Sequence, residues 1–345
     1  MKIGIIGAGI SGLTAGRVLA RSGHDVTVFE KSRGYGGRMS TRHIKKSVSH
    51  AMDHGVPYLM GSSQEFRALI NELLEKKIVT LWTDTVSVYT NGKMLPMSPS
   101  RNSEPLFIAP KGMNSVGKYL GRWLDCCLSE KVGGITHIGG AHMKKSPWMI
   151  NSSSINVFES DAVIIATPAI QAFGLVSTSQ DELGLRKLIT LIDEIPYSST
   201  FSFMAGLGKR ESTDWKAVKC DHPVISWIYN ESSKRDTVEE FNMVVHTSDH
   251  FTKKQLNDPD KGAVEEDIMS ALSEILGSWA GRPEWHETHL WRYHLPKKSL
   301  DMPFLESEDE RAPLAVIGDY FQGRSLEAAY LSGLRLGEHW VDKFS

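Results

Sequence analysis

The chain has 345 residues, 41% of them hydrophobic, which is enough for roughly two domains with substantial cores. A formal net charge of −2 gives no sign of a polyanion or membrane-surface partner and argues against nucleic acid as a ligand. Three cysteines (Cys126, Cys127, Cys220) without Cys-x-x-Cys spacing argue against a disulfide framework or a zinc site.

At the start of the chain, Ile3, Ile5 and Ile6 read as a short buried strand. Gly7-x-Gly9-x-x-Gly12 then makes a tight turn, and a helix runs from Thr14 to Ser22. Gly7 allows the turn, Gly9 lets backbone approach a pyrophosphate, and Gly12 lets the helix lie against the strand. The first helical N–H groups, around Ile10 and Ser11, would meet the anion at the positive end of the helix dipole. Val26, Val28 and Phe29 predict a second strand, with Glu30 at its carboxyl end to accept ribose hydroxyls. A 2′-phosphate there would face like charge, which disfavours NADP at this site. The apolar opening could pass for a signal peptide, but its five glycines would weaken the helix a signal needs. No other stretch reaches the ~18 apolar residues of a membrane span. The expectation is a soluble, cytoplasmic protein.

After Glu30, Lys31 leads into Gly36-Gly37-Arg38-Met39, a second loop near the phosphates with a planar guanidinium fork. Asp53-His54-Gly55 follows a short strand, and residues 63–77 show helical periodicity. Trp82 to Met97 reads as a hairpin turning at Asn91-Gly92. A helix opens at 112–114, with Val116, Tyr119, Leu120 and Trp123 on one face, and Cys126-Cys127 read as buried helical residues. Val132 to Val157 predicts short strands turning near Gly139-Gly140 and Asn151-Ser152. A buried strand follows and runs to Ala166-Thr167, where Pro168 stops it. Residues 197–207, 224–229 and 242–247 read as strands of a larger sheet, with a helix over 264–279 and a strand-like segment over 285–293. A last strand ends at Gly318-Asp319, before a helix from about Ser325 to Asp342.

Both ends of the chain read as pieces of one cofactor domain. The expected division is discontinuous: 1–60, 104–168 and 308–345 for the cofactor domain, and 61–103 and 169–307 for a substrate domain. Asp319 can accept a hydroxyl hydrogen bond, and Glu327-Ala328-Ala329 at the helix start can offer N–H groups to an electron-rich ligand edge.

These blocks resemble renalase, in its bacterial branch, within the flavin-containing amine oxidase superfamily. The resemblance rests on residues 31–41 and 53–58, Ser226-Trp227-Ile228 with Asn230, Ser232-Ser233-Lys234, and Val244-Val245-His246-Thr247. It continues through Trp291-Arg292-Tyr293 with Pro296, and from Gly318-Asp319 to Leu331-Ser332-Gly333. It implies an α/β fold: a glutathione-reductase-type FAD-binding Rossmann domain plus a sheet-rich α+β substrate domain, as in amine oxidases and p-hydroxybenzoate hydroxylase. It also implies FAD rather than NAD, held without a covalent bond. The cofactor residues would be Gly7, Gly9, Ile10, Ser11, Gly12, Glu30, Lys31, Gly37, Arg38, Met39, Asp53 and His54. Val132, Ala166, Thr167, Gly318, Asp319, Glu327, Ala328 and Ala329 would complete the set.

The implied activity is oxidation of 2- or 6-dihydro isomers of NAD(P)H to β-NAD(P)+, with O2 reduced to H2O2. His246 and Trp291 are the substrate-side candidates, with Asn230 and Tyr293 behind them. No metal is expected, although His246/His250 and His286/His289 form pairs. Two departures touch the substrate side: Gly55-Val56-Pro57-Tyr58 in place of a Gly-Ala-Gln-Tyr run, and Thr247-Ser248-Asp249-His250 in place of an Ala-Thr-Pro-Glu segment after the histidine. An amine oxidase, with Trp227, Trp291 and Tyr293 as an aromatic cage, and a flavin-dependent desaturase or isomerase stay open as alternatives.

Overall fold

The structure is a computed structural model and describes all residues except 46–48, 97–103, 139–145, 155, 180–184, 210–212, 236–239 and 258–259. Its first sheet has six strands in the order Leu305–Glu306, Leu314–Val316, Ala162–Ile165, Lys2–Ile6, Asp25–Glu30, Asp125–Leu128. All pairings are parallel except that between Leu305–Glu306 and Leu314–Val316. Both faces of this sheet are covered, which is why its strands read as near-continuous apolar runs. Side chains alternate across the pleat: Ile3, Ile5, Val26 and Val28 pack under the helices, while Ile6, Phe29, Val163 and Ile165 meet Trp148 and Ile150 on the other side. Trp148 and Ile150 belong to an antiparallel three-stranded sheet of residues 132–137, 148–152 and 156–160.

Helix Ile10–Arg21 lies against the C-terminal helix Leu326–Lys343 at very short range. A Cβ at Gly333 would stand 2.2 Å from the Ser11 carbonyl oxygen, and one at Gly337 would stand 2.9 Å from Val18 Cβ. The chain's two ends are thus tied into one layer.

The second sheet has seven strands: Trp285–Trp291, Thr200–Gly206, Asn242–Thr247, Ile225–Asn230, Ala217–Cys220, Ser87–Thr90 and Lys93–Pro96, in that order. One face packs on helix Lys261–Leu276 through Phe203, Val245, Ile268 and Leu272. The opposite face, with Met204, Val244 and Tyr229, meets Ile44 and Met52 of the ribbon formed by Thr41–Lys45 and Ser49–Asp53. That contact joins the second sheet to the first unit.

Several elements differ from the sequence reading. Cys126 and Cys127 lie in an edge strand paired with Val28 and Phe29, because the preceding helix already ends at Gly121. Trp123, past that end, is 72% exposed instead of sharing the buried face. The Asn91-Gly92 hairpin spans only Ser87 to Pro96, whereas Trp82 sits in a strand paired with Leu106–Ile108. Asn91 and Gly92 both take positive φ (50° and 71°), as a tight hairpin turn requires. The turn expected at Gly139-Gly140 lies outside the described residues.

Candidate functional site

A cavity of about 1370 Å³ runs between the two units, above the roughly 300–1,000 Å³ of ordinary small-molecule pockets. It has room for a dinucleotide and a second molecule. Its first third is built from two glycine loops. Gly7 has φ 112°, and a Cβ there would lie 2.6 Å from the Ala166 carbonyl oxygen, so the strand-to-helix turn admits only glycine. Gly9 precedes helix Ile10–Arg21 with no side-chain cap, which leaves the first-turn N–H groups of Ile10 and Ser11 to the cavity. Gly36 bridges to Gly9, and its N–H donates to the Ala8 carbonyl (2.9 Å), while Gly37 would bring a Cβ within 3.3 Å of Gly9 Cα. The second loop therefore closes on the first.

Glu30 lines the cavity but has structural work as well: its two oxygens accept from the N–H groups of Ala8 (2.9 Å) and Ser32 (2.8 Å). Lys31 and Val132 flank it on the wall. Helix Ala169–Val176 adds Gln171, Gly174 and Leu175, which the motif reading did not contain.

In the middle, Arg38 Nη1 donates to Asp319 Oδ2 (2.6 Å) and to the His294 carbonyl (2.9 Å). Met39, Ala166, Thr167, Gly318 and Ala329 line the same stretch. Asp319 Oδ1 and Thr167 Oγ1 are buried without any hydrogen-bond partner. A buried polar atom costs about 1–3 kcal/mol when left unpaired, so the Asp319 oxygen suits a ligand hydroxyl that donates to it, and the Thr167 hydroxyl a ligand group of either kind.

The far end is aromatic and basic. The His54 carbonyl accepts from Trp291 Nε1 (2.8 Å) and from His246 Nε2 (3.3 Å). Ser40 Oγ sits 3.0 Å from His54 Nδ1. The His289 ring packs against Trp291 (4.6 Å between centroids) and His54 (5.0 Å), and Tyr293, Arg42 and Arg292 complete the wall. Burial holds His54 down to about 3, His246 to about 4 and His294 to about 3; neighbouring positive groups add to the effect at His54 and His294. All three are neutral at pH 7.

Six expected site residues lie off this wall. Gly12 sits behind Gly7, where a Cβ would be 2.2 Å from the Gly7 carbonyl oxygen. Asp53 is fully buried in a charge cluster: Oδ1 accepts from Thr41 Oγ1 (2.7 Å) and Met113 N (2.9 Å), and Oδ2 pairs with Arg235 (2.9 Å) and Lys234 (3.5 Å). Glu327 turns away to accept from Ser62 N (3.0 Å) and Ser63 N (2.6 Å), and the Ala328 N–H is taken by Ser325 Oγ (3.1 Å). Asn230 is bonded to Thr213 Oγ1 and Ser233 N, both at 3.0 Å. His246 stands behind His54, holding its carbonyl.

In the other direction, His289, His294 and Arg42 are wall residues the motif reading missed. His289 had a signal, since it shares strand parity with Trp291; Arg42 and His294 had none. Among the described residues no group of three His, Cys, Asp or Glu side chains converges as a metal site, and no helix is long and apolar enough to cross a membrane.

The NAD(P)-binding Rossmann-like domain family matches residues 5–73. A 40-residue segment is 55% identical to a 4,4'-diapophytoene desaturase (4,4'-diaponeurosporene-forming) of Staphylococcus aureus strain Newman. That segment is 12% of this chain and only 8% of the desaturase. Among solved structures, cyclohexylamine oxidase from Brevibacterium oxydans superimposes over 100% of this chain and 99% of its own, with a TM-score of 0.74 at 12% identity. Putrescine oxidase bound to putrescine covers 99% of this chain and 98% of its own, with a TM-score of 0.69 at 13% identity. The chain has the two-domain fold of these oxidases, with a dinucleotide-binding Rossmann-like unit at its start.

Proposed function

We propose that the chain is an FAD-dependent oxidoreductase that oxidises 2- or 6-dihydro isomers of NAD(P)H to β-NAD(P)+, with O2 taken to H2O2. In the balance, dihydronicotinamide gives up a hydride and regains aromaticity, while O2 and one proton take up the two electrons. FAD, held without a covalent bond, would supply the two-electron acceptor. Gly7, Gly9, Gly37 and the N–H groups of Ile10 and Ser11 would hold its pyrophosphate, Glu30 its ribose, and Asp319 a linker hydroxyl. What the chain contributes beyond that is placement of a flat ring between the cofactor stretch and the Trp291–His289–His54 wall.

One observation carries the choice of substrate: the charge of the far end. Its ionised lining groups are Arg42 and Arg292, and its histidine His54 is neutral. The cavity's carboxylates lie elsewhere and are engaged, Glu30 with backbone, Glu130 with Ser153 and Ser154, and Asp319 with Arg38. The carboxylate nearest the far end, Glu287, is already paired with Arg42 (3.4 Å), so a protonated amine would meet net positive charge there, whereas an uncharged dihydropyridine on a phosphate-bearing tail would meet a counter-charge. The aromatic cage open to an amine is also incomplete, because Trp227 stacks on Tyr229 (5.7 Å) away from the cavity. Neutral His54 and His289 can donate to or accept from a carboxamide, and a hydride donor needs no base at carbon.

The test is anaerobic mixing of the yellow holoprotein with borohydride-reduced NAD isomers. Rapid bleaching of the flavin is expected. Flavin that stays oxidised with these isomers but bleaches with a small primary or secondary amine overturns the reading in favour of an amine oxidase.

A further inference from the structure

Strand Trp285–Trp291 presents Glu287, His289 and Trp291 on one face by its period of two. His289 and Trp291 lie in the cavity wall, and Glu287 is the next step outward along the same row. Facing that row from the ribbon Thr41–Lys45 is Arg42, whose Nη1 stands 3.4 Å from Glu287 Oε2. Both side chains are solvent-accessible, at 36% and 41%, so this pair is a weak one of the surface kind, about 0–1 kcal/mol. Arg42 also sits close enough to His54 and His289 for its charge to reinforce the effect of burial in holding both imidazoles neutral. A fixed cation thus stands at the cavity mouth, beside two uncharged rings and a partner that is easily exchanged.

We propose that Arg42 is the specificity residue of this site and takes the phosphate of the substrate's tail, exchanging Glu287 for it, while the ring lies on Trp291 and His289. This rests on the substrate reading above. A planar guanidinium offers two parallel N–H donors to a phosphate oxygen pair, a stronger match than its 3.4 Å contact with Glu287. Glu287 then acts as a competitor for Arg42 and keeps the mouth from binding small anions indiscriminately.

The test uses the flavin-loaded enzyme and three dihydronicotinamide substrates of one isomer: the dinucleotide, the mononucleotide, and the riboside without phosphate. Arg42→Gln is expected to raise KM about tenfold for the two phosphate-bearing substrates, with kcat within about twofold, and to leave the riboside unchanged. Glu287→Gln should lower KM for the phosphate-bearing substrates severalfold, and added salt should shrink both differences. Binding of the oxidised dinucleotide to the holoprotein, followed by the perturbation of the flavin absorbance, should weaken in Arg42→Gln by a similar factor and recover in part in Arg42→Lys. Flavin content and a thermal midpoint equal to wild type's show that Arg42→Gln is folded. Unchanged KM for the phosphate-bearing substrates, or an equal rise with the riboside, overturns the role of Arg42 and leaves the functional reading standing. A wild-type enzyme that oxidises none of the three overturns both.

Discussion

Asp53 joins the two units of the fold through charge, and Asp53→Asn isolates that contribution. The aspartate is fully buried, as are Glu231 and Lys234, and Arg235 is nearly so. Burial alone would push the Asp53 carboxyl up. The Lys234 and Arg235 charges, with the Met113 and Thr41 hydrogen bonds, outweigh it and hold the carboxyl below its usual value. Asparagine keeps the shape but leaves two cations facing one remaining anion, Glu231, which also accepts from Asp53 N (3.0 Å). Breaking a buried pair by removing one partner costs about 3–5 kcal/mol. With an unfolding entropy of about 2.1 cal/mol/K per residue, the loss corresponds to a Tm lowered by roughly 4–7 °C if all 345 residues unfold together.

The sign with pH follows from the depressed carboxyl. Its stabilisation is complete above the unfolded aspartate value, near 3.9, and drains away as pH falls toward the lower folded value. Calorimetry at pH 7, and denaturant titrations repeated below pH 4, should therefore show wild type and variant converging in acid. A variant within about 1 kcal/mol of wild type at neutral pH would refute the claim that this cluster holds the units together.

Three further outcomes are expected. Gly9→Ala should fold with stability within about 0.5 kcal/mol of wild type, because a Cβ there meets nothing within 4 Å, yet purify without flavin because the methyl occupies the pyrophosphate approach; a yellow variant would count against that cradle. Gly12→Ala should instead lose about 1–3 kcal/mol in chemical denaturation, from the clash with the Gly7 carbonyl. His246→Gln should flatten the fall of stability between pH 6.5 and about 4 by up to ~1.4 kcal/mol per pH unit: over that window the unfolded chain takes up a proton that the buried imidazole refuses, and an identical slope in the variant would show that His246 is not held neutral.

What could be read from the residues in order was whatever depends on neighbours in order. The Gly7–Gly12 turn, the Asn91-Gly92 hairpin and the alternating strands are set by backbone sterics and by period, and these are local properties. The Gly36-Gly37-Arg38 loop belongs with them, since its glycines take positive φ (101° and 56°) where it must fold back on Gly9. Tertiary structure decided which polar side chains face the cavity. Asp53 and His54 are adjacent in sequence, yet one is sealed among Lys234 and Arg235 while the other shapes the wall, because a strand end turns successive residues to opposite sides. His246 and Asn230, candidates from the family resemblance, lie off the cavity wall, His246 against the His54 carbonyl and Asn230 against Thr213 and Ser233. Arg42, His289 and His294 become a site only when strands about 250 residues apart are brought together. No local pattern encodes that meeting; it follows from the burial of the seven-stranded sheet against the ribbon Thr41–Lys45 and Ser49–Asp53.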